Sequence, residues 1–311
     1  MAYAVATNPV AASLGLVPLF IVGPVLVSMD RLEPEPWSSR LHTFLWGAFV
    51  AGFISLCINT LVALATSETV AAVVSAPTIE ELTKGAAILW MVRRKEVDSI
   101  MDGLVYAGWS ALGFAFVENI SYFYLADEQD LLVETFVGRA LFTPFAHPLF
   151  TAWIGLAVGV AVRSRKSMAT TVWGFLLAMG SHALWNGSLS LAETEGGMVV
   201  TGVVIILFVL LFIATIIGVI VLMRRETQRY LALAPHLAVR YGLAPDRVTT
   251  LLEPSHRRSA RRALPDTTLR KRFDAEASAV VRLAAMFDHP SPPPPDHEAR
   301  LVSQLAAARQ A

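Results

Sequence analysis

Six ionisable side chains interrupt otherwise apolar helical stretches: Glu80, Glu81, Lys84, Glu118, His147 and His182. On insertion scales a charge at the centre of a bilayer costs roughly 2.5–3.5 kcal/mol, so a purely structural protein would have replaced them. The densest stretch is Ala76-Pro77-Thr78-Ile79-Glu80-Glu81-Leu82-Thr83-Lys84. Its i,i+4 and i,i+3 spacings let the Lys84 ammonium reach either carboxylate on one helix face. Two adjacent carboxylates beside one ammonium are driven to different protonation states, which is what a base and an acid at one site require. Pro77 removes an internal hydrogen bond and predicts a kink just before the pair. Further along, Glu118 and Asn119 sit together in an apolar run, and Asn119 can donate to a carboxylate or hold a water. His147 lies between Pro144 and Pro148. His182 and Asn186 are four apart on one face, which places Asn186 to fix the imidazole tautomer. Taken singly, each has a bland reading: compensated packing for the Glu-Lys set, an interfacial Glu118, a histidine satisfied by backbone. Together they point to acid–base or metal chemistry at depth.

The elements that must position these groups are read from the rest of the chain. It has 311 residues, 55% of them hydrophobic and 16% charged, with a mean hydropathy of +0.55. The apolar residues come in long blocks, so the fold class is all-α, a polytopic membrane bundle and not a soluble domain. Seven spans are expected, near 10–29, 41–65, 68–92, 101–125, 138–162, 168–191 and 198–223. The single cysteine, Cys57, falls in an apolar run and reads as a small buried hydrophobe. No Lys or Arg precedes Arg31, which argues against a cleaved signal peptide.

The connectors set the topology. Arg31 and Arg40 lie in the first, Arg93, Arg94 and Lys95 in the third, Arg163, Arg165 and Lys166 in the fifth. Arg224, Arg225 and Arg229 follow the last span. The other three carry Glu68; Asp127, Glu128, Asp130 and Glu134; and Glu193 with Glu195, with Arg139 the one basic residue nearby. Basic loops alternate with acidic ones, so the positive-inside rule puts the N-terminus outside and the C-terminus in the cytoplasm of a bacterial-type plasma membrane.

Two domains are expected: a membrane domain over 1–225 and a basic tail over 226–311. Residues 1–223 hold 10 Lys+Arg against 16 Asp+Glu, and residues 224–311 hold 15 against 9. In the tail, helix-compatible stretches near 226–240, 246–252 and 274–287 are broken by Pro235, Pro245, Pro254 and Pro265. Pro290 and the run Pro292–Pro295 predict a stiff extended segment. The arginines 257, 258, 261, 262, 270 and 272 with Lys271 suit anionic inner-leaflet lipid or a partner, against a solvated, partly disordered alternative. No internal repeat or nucleotide-binding glycine pattern occurs, and no nucleic-acid partner is expected.

Depth is an independent check. At 1.5 Å per residue, Glu80, Glu118, His147 and His182 all lie roughly 10–18 Å from the expected outer helix ends. Residues scattered for packing would not share one level.

Four motifs on four consecutive spans now carry a resemblance. Glu-Glu-x-x-Lys at Glu80–Lys84, Phe-x-x-x-Glu-Asn at Phe114–Asn119, the His147 segment and His-x-x-Trp-Asn at His182–Asn186 resemble the PrsW family of intramembrane proteases. That family is related to the CaaX-type prenyl endopeptidase and bacteriocin-processing superfamily, and the likeness covers about 68–190. It implies hydrolysis of a peptide bond in a single-pass membrane protein near its extracytoplasmic side, typically an anti-sigma factor in a stress response. On that footing Glu80 with His147 deprotonates a water, and Glu81 or Lys84 orients the pair. His182 with Asn119 or Asn186 stabilises the oxyanion, and Glu118 serves as a further carboxylate or ligand. The superfamily likeness leans to a metal-free glutamate mechanism, and no His-Glu-x-x-His is present. Zinc held by Glu80, His147 and His182 is the alternative. A proton-coupled transporter and a non-catalytic scaffold are rival uses of the same buried groups.

Overall fold

The computed structural model describes residues 8–164, 166–192, 194–289 and 296–310, and among these every regular element is helical. Arg165, Glu193 and the prolines at 290 and 292–295, which entered the reading of the topology and the tail, lie outside the described residues. Seven long helices come first: α1 Pro9–Met29, α2 Trp37–Ala65, α3 over 68–93, α4 Ile100–Asp127, α5 Leu132–Arg163, α6 Thr171–Leu191 and α7 Gly197–Ala232. Five of them, α1, α2, α4, α5 and α7, are long and apolar enough to cross a membrane. The chain is therefore an all-α multi-pass membrane protein. The other two expected spans, α3 and α6, are helical but more polar, because they carry Glu80, Glu81 and Lys84 or His182 and Asn186. Their lengths, about 39 Å and 31 Å at 1.5 Å per residue, still match the roughly 30 Å hydrocarbon layer.

α4 is the centre of the bundle: its apolar window is 78% buried, against 11% for α7. Small residues allow that centrality, since helices in lipid associate by close backbone packing. A methyl on Gly103 would strike the Gly155 carbonyl of α5, and one on Gly113 the Phe44 carbonyl of α2. A leucine from α1, Leu26, fills the notch at Gly108. Ser99 and Asp102 close a capping box at the start of α4, which fixes where the helix begins.

Two irregularities aim the site. The expected disturbance near Pro77 is a π-helical turn at Ala71–Ser75, with regular helix resuming at Ala76. α5 has a π-helical turn at Val137–Phe142, loses its helix over 143–145, and restarts at Ala146 with His147 in its first turn. Widened turns of this kind occur often at functional sites. One expectation fails: Cys57 is exposed, not buried, on a face of α2 it shares with Phe53, Leu56 and Leu61. On a bilayer-spanning helix an exposed apolar face meets lipid, so an apolar run does not require a protein neighbour.

The chain divides into two compact units, one of Met1–Ser28 with Glu35–Ile216 and one of Met29–Pro34 with Ile217–Ala311. The second contains α8 Ala234–Tyr241, α9 Pro245–Leu252, α10 Pro254–Ala263, α11 Thr267–Asp288 and α12 His297–Gln310. Pro235, Pro245 and Pro254 sit in first turns, where a missing N–H costs nothing. Gly242, at φ +61°, ends α8 in the left-handed conformation. Tyr230, Leu237, Leu251, Phe273 and Leu283 belong to one apolar core, which also takes in Leu32 from the connector after α1. The described part of the tail is thus a packed helical unit and not a solvated chain.

Candidate active site

α3 supplies the middle of the site. Glu80, Glu81 and Lys84 are all buried, Glu81 and Lys84 completely. Lys84 Nζ lies 2.8 Å from Glu81 Oε1 and 3.5 Å from Glu80 Oε2, as the spacing predicts. It also lies 3.1 Å from His147 Nδ1 and 4.0 Å above the Phe114 ring.

Each histidine is held by a carboxylate. His182 Nδ1 is 3.1 Å from Glu81 Oε1, and its ring stacks on Phe150 at 4.5 Å. An ionised carboxylate only accepts, so Nδ1 carries the proton and Nε2 turns its lone pair toward Glu80, 3.9 Å away. His147 Nε2 is 2.7 Å from Glu118 Oε2. With Lys84 donating to Nδ1, the ring proton sits on Nε2 and points at Glu118. The two rings are 5.4 Å apart and nearly perpendicular. Glu81 is filled on its other side by Thr151 Oγ1, which donates at 2.8 Å. Asn59 Nδ2 donates to Glu80 Oε1 at 3.4 Å, leaving Glu80 more loosely held than Glu81.

A cavity of about 240 Å³ opens onto this cluster, with Glu118, His147, His182, Arg139, Trp185 and Asn186 in its wall. Glu80, His147 and His182 each offer a donor atom, and the three atoms lie within 4.8 Å of one another. Two imidazoles and one carboxylate with a further position facing a cavity are the ligand types of a catalytic zinc site.

One of the two asparagines differs from expectation. Asn186 Nδ2 donates to the Ala72 carbonyl at 2.8 Å, tying α6 to the π-turn of α3, and the His182 tautomer is set by Glu81 instead. Asn119 Oδ1 accepts from Arg139 Nε at 2.8 Å, and Asn119 lines the same cavity as both histidines. Arg139 itself is a residue the sequence reading passed over. From the π-turn of α5 its guanidinium pairs with Glu118 and lies 3.7 Å above the Tyr122 ring. Its one signal was being a lone arginine beside an acidic connector. Thr151 gave no signal, and Asn59 gave only that of an amide inside an apolar run.

The family model for the PrsW family intramembrane metalloprotease matches residues 35–215, which include every residue of this site. The chain belongs to the PrsW family. Protease PrsW of Geobacillus kaustophilus (strain HTA426) is 33% identical over 171 residues, 54% of this chain and 74% of that protein. Protease PrsW of Clostridioides difficile (strain 630) is 28% identical over 148 residues, 46% of this chain and 62% of that one. Protease PrsW of Oceanobacillus iheyensis is 30% identical over 110 residues, covering 49% of its length. No solved structure matches. The four motifs that carried the likeness to PrsW converge in space, and residues 216–311 lie outside the family match.

Proposed function

We propose that this PrsW-family chain hydrolyses a peptide bond of a single-pass membrane protein, near its extracytoplasmic side, at the cluster of Glu80, His147 and His182. The observation that carries the reading is the convergence of these three donors beside a cavity inside a helix bundle. Family membership favours it over the transporter and the scaffold. An anti-sigma factor is the substrate class that the family likeness suggests, and the alternation of basic connectors supports an outward N-terminus.

The donor set supports a divalent ion, zinc by ligand type, held by Glu80, His147 and His182, with Lys84 giving up the His147 Nδ1 lone pair to it. Bound there, it supplies Lewis acidity and a nucleophilic water at neutral pH. The remaining work falls to side chains. Glu81 holds His182 through Nδ1, Glu118 and Arg139 hold His147, and Lys84 offsets the charge of Glu80 and Glu81. Glu118 lines the cavity, whereas Glu81 is spent on Lys84, His182 and Thr151. Glu118 is therefore assigned the proton step: it accepts the water proton and returns it to the departing amine. In the first turn after the restart of α5, Ala146 N–H is given to the Thr143 carbonyl and Pro148 has none, which leaves the His147 N–H as the backbone donor suited to the developing oxyanion. One observation favours a metal-free variant, in which Glu80 with His147 takes the proton: Lys84 already stands 3.1 Å from His147 Nδ1.

The test uses purified full-length protein in liposomes with a tagged single-pass substrate. Glu80→Gln and His182→Ala are expected to abolish cleavage, and Glu80→Gln to retain the substrate for capture. Wild-type rates in both variants would remove the protease assignment from this cluster.

A further inference from the structure

The second unit carries a cationic surface that the proteolytic site leaves unused. Residues 254–272 contain seven basic side chains, Arg257, Arg258, Arg261, Arg262, Arg270, Lys271 and Arg272, against one acidic, Asp266. Three of the seven are tied down. Arg261 pairs with Asp274 at 2.7 Å, and Arg270 donates to the Leu264 carbonyl at 2.9 Å. Arg257 donates to the carbonyls of Arg31 at 2.6 Å and Leu32 at 3.5 Å. The other four, Arg258, Arg262, Lys271 and Arg272, are exposed and have no carboxylate partner among the described residues. Burial, and then the neighbouring charge of Arg258, holds the Arg257 guanidinium below the usual arginine range, as an uncompensated positive field would.

What makes this more than a solvated face is where Arg257 is anchored. Arg31 is two residues beyond Met29, the last residue of the apolar helix α1. At 3.8 Å per residue, the contact lies within roughly 8 Å of that helix end. Tyr230 clamps the same connector by donating to Glu33 Oε2 at 3.1 Å, and Leu32 is buried in the core of the unit. α10 is thereby tethered beside a membrane-spanning end, and its Arg258 and Arg262, four apart, share one face.

We propose that this surface docks on the anionic phospholipid headgroups of the leaflet at the Met29 end of α1. A soluble acidic ligand would meet the same charges, but only the headgroup layer is brought to them by the chain's own connectivity. Basic residues near an anionic surface strengthen binding by roughly 5-fold each, and the effect is screened by salt. The inference is independent of the proteolytic reading.

The experiment is hydrogen exchange on the full chain in nanodiscs, phosphatidylcholine alone against phosphatidylcholine with phosphatidylglycerol. Amides of 254–272 should exchange several-fold more slowly with phosphatidylglycerol. The slowing should vanish at high salt and in the variant Arg258→Gln/Arg262→Gln/Lys271→Gln/Arg272→Gln. Unchanged protection of Phe273–Leu283 shows that this variant is folded. If it is not, the salt arm on the wild type decides alone. Equal exchange in the two disc types, or slowing that survives the four substitutions, overturns the proposal. So does protection that appears only on adding soluble polyglutamate, which would assign the surface to an acidic protein.

Discussion

Two ion pairs, one at the site and one in the tail, share their chemistry and differ in what they do. Lys84 and Glu81 meet at 2.8 Å with both side chains fully excluded from the surface, whereas Arg261 and Asp274 meet at 2.7 Å with nearly half of each side chain exposed. The distances differ by 0.1 Å; the surroundings differ far more. Water and salt screen the tail pair, and such pairs contribute little. Lys84 and Glu81 are out of reach of water, so removing one leaves its partners buried and uncompensated. Ionic contacts at the site therefore form one interdependent cluster running through Glu81, Lys84, His147, Glu118 and Arg139, while the Arg261–Asp274 pair acts independently.

The largest effect that comparison predicts is at Lys84. Lys84→Met should cost about 3–5 kcal/mol of stability, measured by denaturation in detergent, and the added change Glu81→Gln should recover much of it. A Lys84→Met protein as stable as wild type would break the comparison. Next comes Glu118→Gln, which should slow cleavage by roughly 10²–10⁴ while leaving bound metal in place. If metal is lost with activity, Glu118 holds the site together and does not move the proton. Arg139→Gln acts one contact further out. Metal affinity or turnover should fall roughly 10- to 100-fold, as for other groups that orient a ligand through its partner, and Arg139→Lys should restore part of it. The smallest effect belongs to the tail pair: Arg261→Ala should shift stability by about 0–1 kcal/mol. A larger loss there would show that exposure is a poor guide to coupling in this protein.

Much of this was legible in the residues. Glu80, Glu81 and Lys84 announce themselves because a bilayer penalises every charge, and the i,i+3 and i,i+4 spacings fix which of them meet. The tail breaks fell at Pro235, Pro245 and Pro254 because proline has few permitted places in a helix. What stayed hidden depends on contacts distant in sequence. Arg139 looked like a stray loop cation because its partners, Glu118 and Asn119, are about 20 residues away on another helix. Asn186 had a plausible local partner in His182, but a backbone carbonyl on α3 takes its amide. The tail core was illegible for a different reason: its apolar residues are thinly spread over five helices and become a core only when packed. α3 and α6 fail a test of apolarity that α7 passes easily, and the reason is the site itself.

In the proposed reading, Glu80, His147 and His182 hold one metal ion that hydrolysis needs. The most direct measurement is elemental analysis and cleavage rate on the same liposome preparations of wild type and His182→Ala, before and after chelation. The account predicts stoichiometric zinc in the wild type, zinc and cleavage lost together on chelation and regained together on zinc addition, and neither in His182→Ala. Chelated wild-type protein that is free of zinc and still cleaves at its full rate would contradict it.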